Sequence, residues 1–158
     1  MKKIASILFI LAVFSACSED IKRNNPAVQG LKDDVMWRAA GVSATLGTNG
    51  SLTIEGVTQY ETLTLKTNNT NEQVFVLGNS TARSASFIDT RNGDEIIYST
   101  GVNIGDGQIE ITDYDEANMT VTGTFRFNAV NESEDAEAGE VLNFNQGNFY
   151  KVPVVPAL

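Results

Sequence analysis

The chain has 158 residues, 20 acidic against 11 basic side chains for a formal charge of −9, one cysteine and no histidine. That length suits a single domain, and the missing imidazole excludes Ser-His and Cys-His nucleophiles, imidazole proton shuttles and histidine-bound zinc or iron. The acidity repels phosphate backbones, so no nucleic acid partner is expected.

Residues 1–17 read Met-Lys-Lys, an apolar run from Ile4 to Phe14, then Ser15-Ala16-Cys17. A charged start, an apolar middle and a small-residue end make a secretory signal. The run is too short for a transmembrane helix, which needs about 20 apolar residues. The small pair against the only cysteine resembles the lipobox of bacterial lipoproteins, with Phe14 where leucine is commonest. The resemblance implies cleavage after residue 16, then a diacylglyceryl thioether and an amide-linked acyl chain on Cys17. Each buried methylene contributes about 0.8 kcal/mol, so two or more chains hold firmly to a membrane. Ser18-Glu19-Asp20 is similar to the tract that sends Bacteroidetes lipoproteins across the outer membrane, and equally fits a plain acidic tether. The expected layout is a signal peptide over 1–16, a flexible tether over 17–32 and one domain over 33–158, lipid-anchored at the outer membrane, with the outward-facing and periplasmic orientations both open. With Cys17 spent on lipid, no disulfide, thiolate metal site or catalytic thiol remains.

From Val35 onward, runs rich in Val, Ile, Thr and aromatics alternate with Gly, Asn and Asp, predicting about ten antiparallel strands. Leu52 with Ile54, Leu63 with Leu65, Ile96 with Tyr98, Ile109 with Ile111, and Leu142 with Phe144 each give a strand one apolar face. Val74 to Leu77 is apolar at both parities and predicts a strand covered on both sides. Asn49-Gly50 and Asn92-Gly93 predict tight hairpin turns, because both residue types tolerate positive φ. Between Met119 and Ala129 the apolar residues, with Gly123, take one parity and Thr, Arg and Asn the other. Only a strand with one buried face separates them so. Asn131–Glu140 carries five acids and no large apolar side chain, and predicts a mobile loop between two strands. Pro153 and Pro156 lack ladder donors, so the last strand should end near Val152 or lie on an edge. These elements compose an all-β fold, an antiparallel sandwich or partly closed barrel, mostly meander.

Asn25-Pro26-Ala27-Val28-Gln29-Gly30, Trp37-Arg38-Ala39, Gly105-Asp106-Gly107-Gln108-Ile109, Ile111-Thr112-Asp113-Tyr114-Asp115, Gly123-Thr124-Phe125 and Phe149-Tyr150 stand along nearly the whole mature chain. Together they resemble an uncharacterised family of Bacteroidetes lipoproteins, a domain of unknown function. The resemblance implies an exported β-rich lipoprotein and carries over no active site.

Candidate sites are sparse. Asp113, Asp115, Glu116 and Asn118 offer the oxygen ligands a hard cation such as calcium prefers. The order lacks the glycine and distal glutamate of an EF-hand loop, and these residues are also the defaults of a hairpin turn. Asp89, Asn92 and Asp94 form a similar group. Trp37, Tyr114 and Tyr150 are aromatics suited to stack on a sugar or anchor a partner; burial in the core is the competing reading, strongest for Trp37, while Tyr114 is expected to be exposed. The expected function is a membrane-anchored interaction module for a protein or carbohydrate ligand, not an enzyme and without a cofactor. Two rivals stand beside it: a small-ligand carrier with a barrel cavity, and a carboxylate-based hydrolase, which needs two acids facing across a cleft.

Overall fold

The structure is a computed structural model and describes residues 25–133 and 138–157. Among these, eleven strands run in chain order: β1 (Ala27–Lys32), β2 (Val35–Arg38), β3 (Gly41–Leu46), β4 (Leu52–Val57), β5 (Glu61–Thr67), β6 (Val74–Leu77), β7 (Ser84–Asp89), β8 (Ile96–Ser99), β9 (Asp106–Asp115), β10 (Thr120–Asn131) and β11 (Val141–Pro156). Hydrogen bonds join all eleven in one mixed sheet, β2-β1-β11-β3-β4-β5-β7-β8-β10-β9-β6 with β10 also paired to β11, within which β2-β1-β11-β10-β9-β6 forms an antiparallel six-stranded layer and β3-β4-β5-β7-β8 a second.

The layers are joined by the two longest strands, each of which changes partner along one edge. The β11 strand pairs with β1 up to Tyr150, then runs parallel to β3 from Val154 to Pro156. The β10 strand pairs with β9, then passes to β8 at Val130 and Asn131. Because β10 also pairs with β11, hydrogen bonds continue round a ring, and the sandwich is a partly closed barrel. This is the all-β class expected from the alternation.

The parity rule holds along β10, where Val121, Phe125, Phe127 and Ala129 are buried and Thr124 and Arg126 face out. Between the layers Trp37 packs edge-on against Phe87 and Phe144, with ring centroids 6.0 and 5.6 Å away, and Phe144 continues to Phe125 and Phe127. Each such side chain contributes roughly 1.5–3 kcal/mol by leaving water. Both Asn-Gly pairs lie in hairpin connections, over residues 47–51 and 90–95, with Gly50 at φ 82° and Gly93 at φ 92° and neither asparagine at positive φ.

Three expectations are corrected. The tether over 17–32 is too long, because Ala27–Lys32 is strand β1: Val28 is fully buried and pairs with Phe149, so apolar burial begins five residues before the expected domain start. The β6 strand is not covered on both faces. It is an edge strand with Val74 46 % and Val76 50 % exposed, since only Phe75 and Leu77 point inward. Of the two alternatives for β11, an end at Val152 fails, and the strand runs on to Pro156 with its last three residues laddered to β3 alone. Pro153 falls in the gap where β11 leaves β1 and has not yet met β3, so its missing N–H costs no ladder bond on that edge.

Residues 1–16, Cys17, the Ser18-Glu19-Asp20 tract and the centre of the acidic segment lie outside the described residues. Its flanks do join β10 to β11, as expected.

Candidate functional site

The residues singled out from sequence do not converge. Asp113 stands opposite Thr122 on the exposed face of the β9–β10 hairpin. Asp115 spends its carboxylate on the turn, where Oδ1 accepts from the Asn118 backbone N–H at 2.9 Å and Oδ2 from Asn118 Nδ2 at 2.6 Å. Those bonds hold its carboxyl below the usual carboxylate range. Among the described residues no three carboxylates gather in a way that could hold a metal ion, and Asp115 with Asn118 forms the turn between β9 and β10. Nor do Asp89 and Asp94 join such a group.

Trp37 is 5 % exposed, and its Nε1–H donates to Glu61 Oε2 at 2.8 Å. It is core. Tyr114 is half-buried, against the expectation of exposure, because a register shift in the β9–β10 pairing turns it inward opposite Val121. Burial, with the charge of Glu116 nearby, pushes its phenol up. Tyr150 is the one aromatic of the three on the surface, 40 % exposed with the Lys151 ammonium over its ring.

What the fold does build is a groove of about 580 Å³ on the outer face of the six-stranded layer. Its walls come from Leu31 of β1 and Asp34 of the β1–β2 turn, Gln108 of β9, Thr124 and Arg126 of β10, and Asn145, Gln146 and Asn148 of β11. The cause is a β-bulge. Phe125 pairs with Gly147 and Phe127 with Phe144, so Asn145 and Gln146 together oppose Arg126. Gln146 takes φ 50°, a left-handed conformation that costs a non-glycine residue about 1–2 kcal/mol. Gly147 is required at the floor, because a Cβ there would meet the Phe125 ring at 2.5 Å.

Side-chain amides tie the groove to its surroundings. Asn145 Nδ2 donates to Asn143 Oδ1 at 2.6 Å, Asn143 Nδ2 to Asn128 Oδ1 at 2.6 Å, and Asn128 Nδ2 to Asp106 Oδ1 at 2.9 Å. Across the groove Arg126 Nη2 donates to Gln108 Oε1 at 2.9 Å.

Compared with known protein families, residues 24–153 match a family described as a domain of unknown function (DUF6252). The chain belongs to that family. No curated protein and no solved structure matches it.

For this member of DUF6252, the fold divides the residues that carried the family resemblance. Val28, Trp37, Ile109, Phe125 and Phe149 are core, whereas Asp106 and Gln108 belong to the polar array on the outer face. Sequence reasoning missed that array. Its signal was present as the outward parity of β10, Thr124-x-Arg126-x-Asn128, and as the asparagines and glutamine between Asn143 and Asn148. Nothing local marks such residues as more than a solvated face until the register sets three strands side by side.

Proposed function

We propose that the chain is an exported lipoprotein of the bacterial cell envelope that binds its ligand without converting it, through the groove on the outer face of the six-stranded layer. The observation that carries this reading is the placement of polar side chains. Those lining the groove leave hydrogen-bonding atoms unspent among the described residues, while aromatic rings fill the space between the layers where a carrier would keep its cavity. The groove's walls bring a single carboxylate, Asp34, so the opposed pair of a glycoside hydrolase is not assembled there.

Lipid on Cys17 supplies the anchor in this reading, as in Bacteroidetes lipoproteins, with Ser18-Glu19-Asp20 directing the domain outward from the outer membrane. From Cys17 to Ala27 the extended chain reaches at most about 35 Å, which keeps the groove near the bilayer surface. Fractionation and protease shaving of intact cells test the address: wild type should pellet with membranes and be shaved, and Cys17→Ala should turn soluble. A Cys17→Ala protein that fractionates unchanged overturns the anchor. The binding role is tested by hydrogen exchange of the full-length protein mixed with isolated cell envelope. Slowed exchange in β10 and β11 of the wild type, absent in Thr124→Ala/Asn148→Ala, is expected; identical exchange in both overturns it.

A further inference from the structure

We propose that the groove takes a neutral, hydroxyl-rich chain, an oligosaccharide, laid across β1, β11, β10 and β9; this rests on the binding reading above and names its ligand class.

Charge is the first argument. In a chain of net charge −9 the groove walls hold one carboxylate, Asp34, and one guanidinium, Arg126. Neither an anionic nor a cationic polymer finds a row of counter-charges there.

The second argument is the state of the polar atoms. Among the described residues the side chains of Thr124, Gln146 and Asn148 make no hydrogen bond, Asn145 has only its Nδ2 engaged, and Gln108 only its Oε1. Amides and hydroxyls each present donors and acceptors together, which is what a sugar hydroxyl, donor and acceptor at once, requires of its partners. The chain of amides from Asp106 through Asn128 and Asn143 fixes which end of Asn145 is spent, so its oxygen stays an acceptor. Holding Asn145 and Gln108 before the ligand arrives reduces the ordering cost of binding.

A peptide fits less well. An extended peptide gains most of its affinity by adding a strand to a free sheet edge, and the strands under the groove are all paired on both sides. The groove volume, about 580 Å³, falls within the range of roughly 300–1,000 Å³ typical of small-molecule sites.

The experiment is affinity electrophoresis and titration calorimetry of the full-length protein in detergent. The panel holds neutral glucan, mannan, xylan and galactan, with polygalacturonate and a neutral Ser/Gly-rich peptide as comparators. At least one neutral glycan should bind with an affinity that barely changes between about 50 mM and about 500 mM salt, since no ion pairs are made or screened. Thr124→Ala/Asn148→Ala should weaken it at least about tenfold, the size of loss that a few missing hydrogen bonds produce. Neither of those side chains makes an internal hydrogen bond, so the variant should fold, and its thermal midpoint checks this. Binding confined to polygalacturonate or to the peptide, or no binding by any neutral glycan, overturns the proposal. If glycans fail while envelope-induced exchange protection still depends on Thr124 and Asn148, the binding role stands and only the ligand class falls.

Discussion

Trp37 shows how far a side chain's surroundings override its type. An indole with a polar edge is a common binding anchor, yet here it touches Phe87 and Phe144 and satisfies its N–H on Glu61. Trp37→Ala should therefore lower unfolding free energy by about 3–5 kcal/mol, the cost of a large aromatic cavity, while leaving ligand affinity of the folded fraction unchanged; urea unfolding measures the first and calorimetry the second. Asp89 behaves differently. The hydrogen bonds from Arg91, on Nε at 3.0 Å to both carboxylate oxygens, hold its carboxyl below its ordinary value of 3.8. A depressed carboxylate adds stability above its unfolded pKa and loses it as pH falls through the folded one. Asp89→Asn should accordingly flatten the loss of stability below about pH 4, read as thermal midpoint against pH. At Gln146 the left-handed backbone suggests a trade. Gln146→Gly removes the strain of φ 50°, and should raise stability by up to about 1 kcal/mol while removing one amide from the groove.

At the scale of the elements, docking of the β1–β2 hairpin depends on a charge. Glu61 of β5 takes Lys32 of β1 and Trp37 of β2 at once, with Arg91 at 3.4 Å, and its side chain is 11 % exposed. Removing it strands a buried indole N–H and an ammonium, each costing about 1–3 kcal/mol unpaired. Glu61→Ala should speed hydrogen exchange in β1 and β2 before it affects β4 and β5, which mass spectrometry of peptide fragments would resolve. The edges of the six-stranded layer carry a second expectation. Val74 and Val76 on β6 are exposed beside unpaired backbone, the arrangement that invites edge-to-edge association. Val76→Lys should reduce self-association in sedimentation without lowering stability. Alternation made β4, β5, β9 and β10 legible from sequence, since each buries one parity. It misled at β6, because a short run that is apolar throughout reads as doubly buried wherever it lies, and at β1, where Gly30 and Gln29 hide the strand among polar neighbours.

As a whole, the molecule is held by pairings distant in the chain, β1 with β11 and β3 with β11 above all. Closing such contacts is slow, so refolding should take milliseconds to seconds, and the ring should unfold in one step, with fluorescence of the single tryptophan and far-ultraviolet circular dichroism changing together. The alternating rows, the Asn-Gly turns, the acidic charge and the missing histidine were local or compositional, and they sufficed for an all-β domain without imidazole chemistry. Which polar residues meet was not local. Asp106, Arg126 and Asn145 come from three strands and share a face only because β9, β10 and β11 pair in one register with a bulge at Gln146. A shift of one residue would turn those side chains inward. The groove exists because tertiary pairing selected that register, and the burial of Phe125, Phe127 and Phe144 on the opposite face is what holds it.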